Sequence, residues 1–298
     1  MSNQEMAPKP KLFQGERSLV ITGLIGFLFA TICALYIYTN QPIVLQEGNI
    51  KDAFAFNAAI GIFILSIAAI LPLAKFTNLN RKIVRWFFVI ASLYRYLIET
   101  IQHFRGINPR FSQVGGTIDF IAGILFGVVS LALVVFILIL AIQFLRTQSS
   151  QNRPLLIIGI RYAFLSAIAG NIAGLWMIIL QDRFTGVAGN IIVLHGISFH
   201  ALQTLLLLAW VLEKLQIHQH IKRKMLHLGC SSWSLSILCI AIQISLGKSN
   251  FEFSFFPLLT VALLLLWLIT FISASKLFLQ QYELRRPKLI LRSRYMNE

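Results

Sequence analysis

Arg95, Glu99, Gln102 and His103 recur at helical spacing along one apolar stretch, and the four-residue step from Arg95 to Glu99 puts both on one helix face. Carboxylate and imidazole groups shift their proton affinities readily in a low dielectric, so Glu99 is a candidate acid/base with Arg95 as its charge partner. An ion pair that neutralises itself within one helix would need the same two residues. A second stretch, NIIVLHGISFHALQTLLLLAWVLE, carries Asn190, His195, Ser198, His200 and Gln203. His195 and His200 are five residues apart, about 140° around a helix, which does not suit a shared metal as the i, i+4 HExxH spacing does. They are candidate catalytic bases, or ligands of a divalent metal or haem completed from another helix, with His103 as the third candidate ligand.

The segment FRGINPRFSQVGGTID follows His103 directly. Arg105 and Arg110 are candidate binders of a phosphate or carboxylate, while Asn108-Pro109 and Gly115-Gly116 supply turn geometry that any connection would need. Asp119, Asn171 and Gln203 complete the candidate substrate-binding set. Arg161, Glu213 and Lys276 fall near the opposite ends of their apolar stretches, where long side chains snorkel to the headgroups.

The elements that must carry these residues follow from composition. Of the 298 residues 57% are hydrophobic and 12% charged, against about 25% charged in a soluble domain; the mean hydropathy is +0.76. The apolar residues form long runs, which excludes an ordinary soluble enzyme and predicts an all-α, polytopic transmembrane bundle. Eight helices are expected, roughly at 18–39, 53–74, 83–104, 118–144, 155–180, 190–212, 225–246 and 255–276. They leave a tail at 1–17 and a basic tail at 277–298. The run at 18–39 is too long for a signal-peptide core and reads as a retained span.

The third stretch is the least apolar, because Arg95 and Glu99 each cost about 2.5–3.5 kcal/mol at mid-bilayer. Flanking charge argues that it crosses. With eight spans and a cytoplasmic N-terminus, 19 Lys and Arg flank the inner ends and 5 the outer; without the third span the split is 12 against 13. The positive-inside rule therefore selects eight spans with both termini cytoplasmic, in a bacterial cytoplasmic membrane. The net charge of +15 is then loop topology, not a nucleic-acid footprint. Cys33, Cys230 and Cys239 lie in apolar stretches as small hydrophobes, and no CxxC motif occurs.

Counting 1.5 Å per residue from the outer helix ends places Glu99 and His195 both about 8 Å deep, which predicts one outer-half polar pocket shared by the third and sixth helices. Internal echoes are limited to AGNI at 169–172 and 188–191 and an Arg-Tyr pair at Arg95 and Arg161, and do not amount to a repeat. Gly123 with Gly127, and Gly170 with Gly174, are expected at close helix contacts.

ETIQHFRGINPRF at 99–111 and HGISFHALQ at 195–203, followed by an apolar run and Glu213, resemble segments of a family of bacterial integral membrane proteins with no assigned activity. The resemblance implies a pairing of the third and sixth helices and transfers no chemistry. The function expected is a membrane-embedded enzyme or a ligand- or metal-binding protein acting on a lipid-soluble or anionic amphipathic molecule. A proton-coupled carrier and a structural or assembly protein are the alternatives.

Overall fold

A computed structural model describes residues 11–110, 112–147 and 153–295, with side chains as far as residue 283. The first ten residues and the side chains of the basic run at 285–294 lie outside it; the last helix, expected to end at 276, continues to Tyr295. Among the described residues the chain is all-α with eight helices: α1 (Arg17–Thr39), α2 (Ile50–Ile70), α3 (Asn78–Phe104), α4 (Thr117–Arg146), α5 (Pro154–Leu180), α6 (Ile191–Lys214), α7 (Gln219–Ser245) and α8 (Phe255–Tyr295). Seven of them, all but α3, are long and apolar enough to cross a membrane. The chain is a polytopic membrane protein.

Contacts divide it into two compact units, Met1–Thr147 and Gln148–Glu298. Each unit runs helix, two-residue-strand hairpin, then three helices. In the first, β1 (Ile43–Val44) pairs antiparallel with β2 (Gly48–Asn49). In the second, β3 (Phe184–Thr185) pairs with β4 (Gly189–Asn190) in the same register. The correspondence extends to single hydrogen bonds at a constant offset of 141 residues. Asn49 and Asn190 cap α2 and α6, accepting from the amides of Lys51 and Ile192 at 3.1 Å. The Ile50 and Ile191 amides each reach back 2.8 Å, to the carbonyls of Pro42 and Arg183. The chain is thus a structural duplication, contrary to the sequence reading.

Helices α3 and α7 end alike. Gly106 (φ 76°) and Gly247 (φ 69°) take the left-handed conformation that favours glycine. Their amides bond the carbonyls of His103 (3.1 Å) and Ile244 (2.8 Å), while the next amides, of Ile107 and Lys248, bond those of Gln102 (2.9 Å) and Gln243 (3.2 Å). These are Schellman closures. Each hairpin then docks on its closure, Glu47 N–H donating to Gly106 O and Ala188 N–H to Gly247 O, both at 3.1 Å.

Within the first unit α1 packs on α2 through small residues: a Cβ on Gly26 would lie 2.5 Å from Tyr96 Oη and 3.0 Å from Asn57 O. Helix α3 presents Phe88, Ser92, Tyr96, Glu99 and His103, all buried, as one stripe to α1 and α2. Within the second unit Gly170 and Gly174 do meet α6 closely, at Phe199, Ser198 and His195. Gly127 faces open space and Gly123 only the carbonyls of Pro109 and Arg110, so that GxxxG pair is not a helix contact.

Candidate functional site

The polar stripe of α3 is completed by the loop to α4 and by the first hairpin. Glu99 is fully buried. Its Oε1 accepts from Arg110 Nη2 at 2.5 Å and lies 3.4 Å from His103 Nε2; its Oε2 is buried with no hydrogen-bond partner. The expected ion pair of Arg95 with Glu99 is not formed. Arg95 instead lies over the rings of Phe56 (4.8 Å) and Phe126 (5.0 Å), and Arg110 lies over the same two at 5.3 and 5.4 Å. The reason is reach: Arg110 comes from a loop and can turn its guanidinium onto the carboxylate, while Arg95 extends sideways from its helix between two aromatic rings. Arg95 Nε is buried without an acceptor.

The hairpin sets the protonation of His103. The Asn49 amide donates to His103 Nδ1 at 3.1 Å, so Nδ1 keeps its lone pair and the ring proton belongs to Nε2, which lies 3.4 Å from Glu99 Oε1 and is buried without a hydrogen-bond partner. A metal at Nε2 would require the opposite tautomer, and Nδ1 is occupied by the amide. Taking Arg95 and Arg110 as cations, Glu99 as an anion and His103 as neutral, the cluster carries one excess positive charge.

Arg105, expected to bind an anion, is engaged by Asp119: Nη1 donates to Oδ1 at 2.6 Å. Gln102 donates to the same oxygen at 2.9 Å, and the Gly116 amide donates to Asp119 Oδ2 at 3.0 Å. Asp119 thereby caps the start of α4 and ties it to the end of α3.

Of the second set, His195 Nδ1 lies 2.8 Å from Gly170 O, which makes Nδ1 the donor. His200 is exposed and its Nδ1 lies 3.2 Å from Gln203 Oε1. Asn171 is buried on α5, its amide nitrogen without a partner. Glu213, expected to snorkel, accepts from Arg153 Nε at 2.9 Å and from the Leu156 amide at 3.3 Å, holding the start of α5. Among the described residues no group of three or more His, Cys, Asp or Glu side chains is placed to hold a metal ion. Glu99 and His195 belong to different units, and each finds the partners given above within its own.

Sequence reasoning missed Glu47. Its Oε2 accepts from the Ser112 hydroxyl (2.5 Å) and the Asn108 amide (3.1 Å), and its Oε1 from the Gln113 amide (2.7 Å). Partial burial alone would raise its pKa, but these hydrogen bonds together with that of the Val114 amide outweigh it and hold the carboxyl below its ordinary 4.5. Glu47 thus clamps the loop that delivers Arg110. The signal was in the sequence, as EGNI at 47–50 against AGNI at 188–191. Phe56 and Phe126, which hold the guanidinium groups, sit among so many other apolar residues that no spacing singles them out.

Comparisons with family models, curated proteins and solved structures return no match for the chain.

Proposed function

We propose that the protein binds an anionic amphipathic small molecule at the buried charge cluster of its first unit, with Arg95 as the anion's partner and Glu99 as the proton-exchanging group. The observation that carries this reading is Arg95 itself. A guanidinium inside a membrane span costs about 2.5–3.5 kcal/mol, and a cation over aromatic rings recovers about 0.5–2 kcal/mol. The remainder calls for an acceptor. Arg110 cannot relieve it, because its own charge adds to that of Arg95 and its nearest carboxylate is Glu99. An acidic headgroup would complete the charge balance, with its chain against the apolar faces of Phe56 and Phe126.

In this reading α3 crosses the membrane as the eighth span. The chain enters from the cytoplasmic side of a bacterial membrane, both termini remain there, and the Arg95 cluster lies in the outer half. Glu99 Oε2, buried without a hydrogen-bond partner, gives a bound acid a proton acceptor beside its cationic partner. That pair would serve catalysis or recognition alike.

The test is thermal unfolding of the purified protein with dodecyl phosphate and with dodecyltrimethylammonium. The expected outcome is stabilisation by the phosphate alone, lost in Arg95→Gln. Equal stabilisation by both amphiphiles, or a full response in Arg95→Gln, defeats the proposal.

A further inference from the structure

The duplication allows each unit to be read against the other. In the first unit the hairpin turn carries Leu45, which packs on Gly106: a Cβ there would lie 2.5 Å from the Leu45 Cβ. It also carries Glu47, whose carboxylate fills the α3–α4 loop. In the second unit the residues 141 positions later are Gly186 and Ala188. Neither supplies a side chain of that kind. A cavity of about 500 Å³ lies there, lined by Gly186, Ala188, Gly247, Lys248, Ser249 and Glu252 among others.

Part of the receiving loop persists. Asn108, whose amide donates to Glu47 at 3.1 Å, accepts from the Arg110 amide two residues on through its side chain, at 3.0 Å. Ser249, 141 positions later, accepts from the Phe251 amide two residues on through Oγ, at 3.2 Å. The turn is the same and carries a hydroxyl, while Phe253 stands at the position of Ser112. Lys248, next to Ser249, adds a cation that the first unit lacks at this point, where Ile107 stands. Glu252 adds an anion on the same wall, held by Gln243 Nε2 at 3.3 Å. The surround is apolar and open: Val187, Phe251 and Phe253 are each more than 90% exposed, at the ends of helices long and apolar enough to cross a membrane. Exposed apolar side chains grouped in this way mark a membrane or ligand contact.

We propose that this cavity is a lipid site that takes a zwitterionic phosphoethanolamine headgroup. The phosphodiester stands where the first unit places its own carboxylate, accepting from the Ser249 hydroxyl and the Lys248 ammonium. The headgroup amine faces Glu252, and the glycerol and upper acyl carbons lie against Val187 and Phe251. The assignment is independent of the Arg95 cluster.

The experiment is native mass spectrometry of the full chain titrated with phosphatidylethanolamine, phosphatidylglycerol, phosphatidylcholine and inorganic phosphate. Phosphatidylethanolamine is expected to be retained about tenfold more tightly than the others, the scale of one charge-assisted hydrogen bond. Ala188→Glu supplies the missing carboxylate internally and is expected to abolish that preference while leaving the melting temperature unchanged or higher. Lys248→Ala should weaken all three phospholipids, and Glu252→Gln should erase the difference between phosphatidylethanolamine and phosphatidylglycerol. These last two change exposed side chains and decide the matter should Ala188→Glu fail to fold. Equal retention of the three lipids, or a preference that survives in Lys248→Ala and Glu252→Gln, overturns the site. Inorganic phosphate held as tightly as the lipid overturns the lipid source.

Discussion

Two carboxylates, Glu47 and Glu99, organise the first unit by different physics. Glu47 accepts only from neutral donors, a hydroxyl and loop amides, and each hydrogen bond to a charged acceptor contributes about 1.5–3 kcal/mol net of solvation losses. Its pKa is lowered on folding, so the carboxyl binds a proton more weakly in the folded chain than in the unfolded one. The stabilisation is therefore complete above the unfolded value of about 4.5 and is lost as pH falls through the lower folded value. Glu47→Gln should lower the melting temperature at pH 7 and flatten its decline between pH 6 and the acid range; a wild-type profile in the variant would show that the clamp contributes nothing. Glu99 is different, because a buried charge set against Arg110 leaves a cation behind when it is removed. Arg110 is about one-third exposed, so water softens that loss, and Glu99→Gln is expected to cost about 1–2 kcal/mol. Urea unfolding of this variant checks the figure, and a wild-type midpoint would show that Glu99 and Arg110 contribute no net stability. The four-residue step from Arg95 to Glu99 was legible in the sequence, but the true partner of Glu99 was not. Arg110 belongs to a loop, and a loop has no periodicity from which to read where a side chain will fold back.

At the scale of elements, helix contacts are decided by which glycines meet a neighbour. Gly26 admits Tyr96 and the Asn57 carbonyl against α1, whereas Gly127 meets nothing within 4 Å. Gly26→Val should therefore force overpacking at about 1–3 kcal/mol, while Gly127→Ala should gain about 0.5–1 kcal/mol from helix propensity. Urea or thermal unfolding of the two variants checks the pair, and a destabilising Gly127→Ala would mean that this face of α4 is covered in the membrane. The GxxxG spacing alone could not separate the two cases, since it is shared by Gly123 with Gly127 and by Gly170 with Gly174, of which only the second pair meets another helix. Helix positions were more legible: the expected stretch 155–180 is α5 at Pro154–Leu180, and 118–144 is α4 at Thr117–Arg146. Long apolar runs bounded by Gly, Pro, Asn and charge carry that information directly. The start of α3 was placed five residues late, because Thr77 caps it across Asn78, Asn80 and Arg81, a polar first turn that hydropathy reads as loop.

At the scale of the molecule, duplication bears on whether α3 crosses. Its counterpart α7, between the same hairpin frame and the same glycine closure, is one of the seven helices apolar enough to span. What removes α3 from that set is its charge, and much of the charge is engaged inside the unit: Glu16 takes Arg81 Nε and Arg85 Nε at 2.6 Å each, and Glu99 takes Arg110. Paired groups cost far less in a bilayer than the same residues counted singly, so a window average overstates the penalty. The repeat escaped the sequence reading because the two halves share a backbone frame carried by a few residues, the Gly-Asn-Ile of each hairpin and the glycine after α3 and α7, while the helix surfaces were free to drift among apolar types. The topological consequence is sharp. With eight crossings the two hairpins emerge on one side of the membrane; with α3 lying outside it, they emerge on opposite sides. In a chain whose Cys33, Cys230 and Cys239 are replaced, Gln46→Cys and Val187→Cys should both react with a membrane-impermeant maleimide applied to the extracytoplasmic face of intact cells. Labelling of one position from outside and of the other only after permeabilisation would withdraw α3 from the membrane, and with it the depth assigned to Arg95.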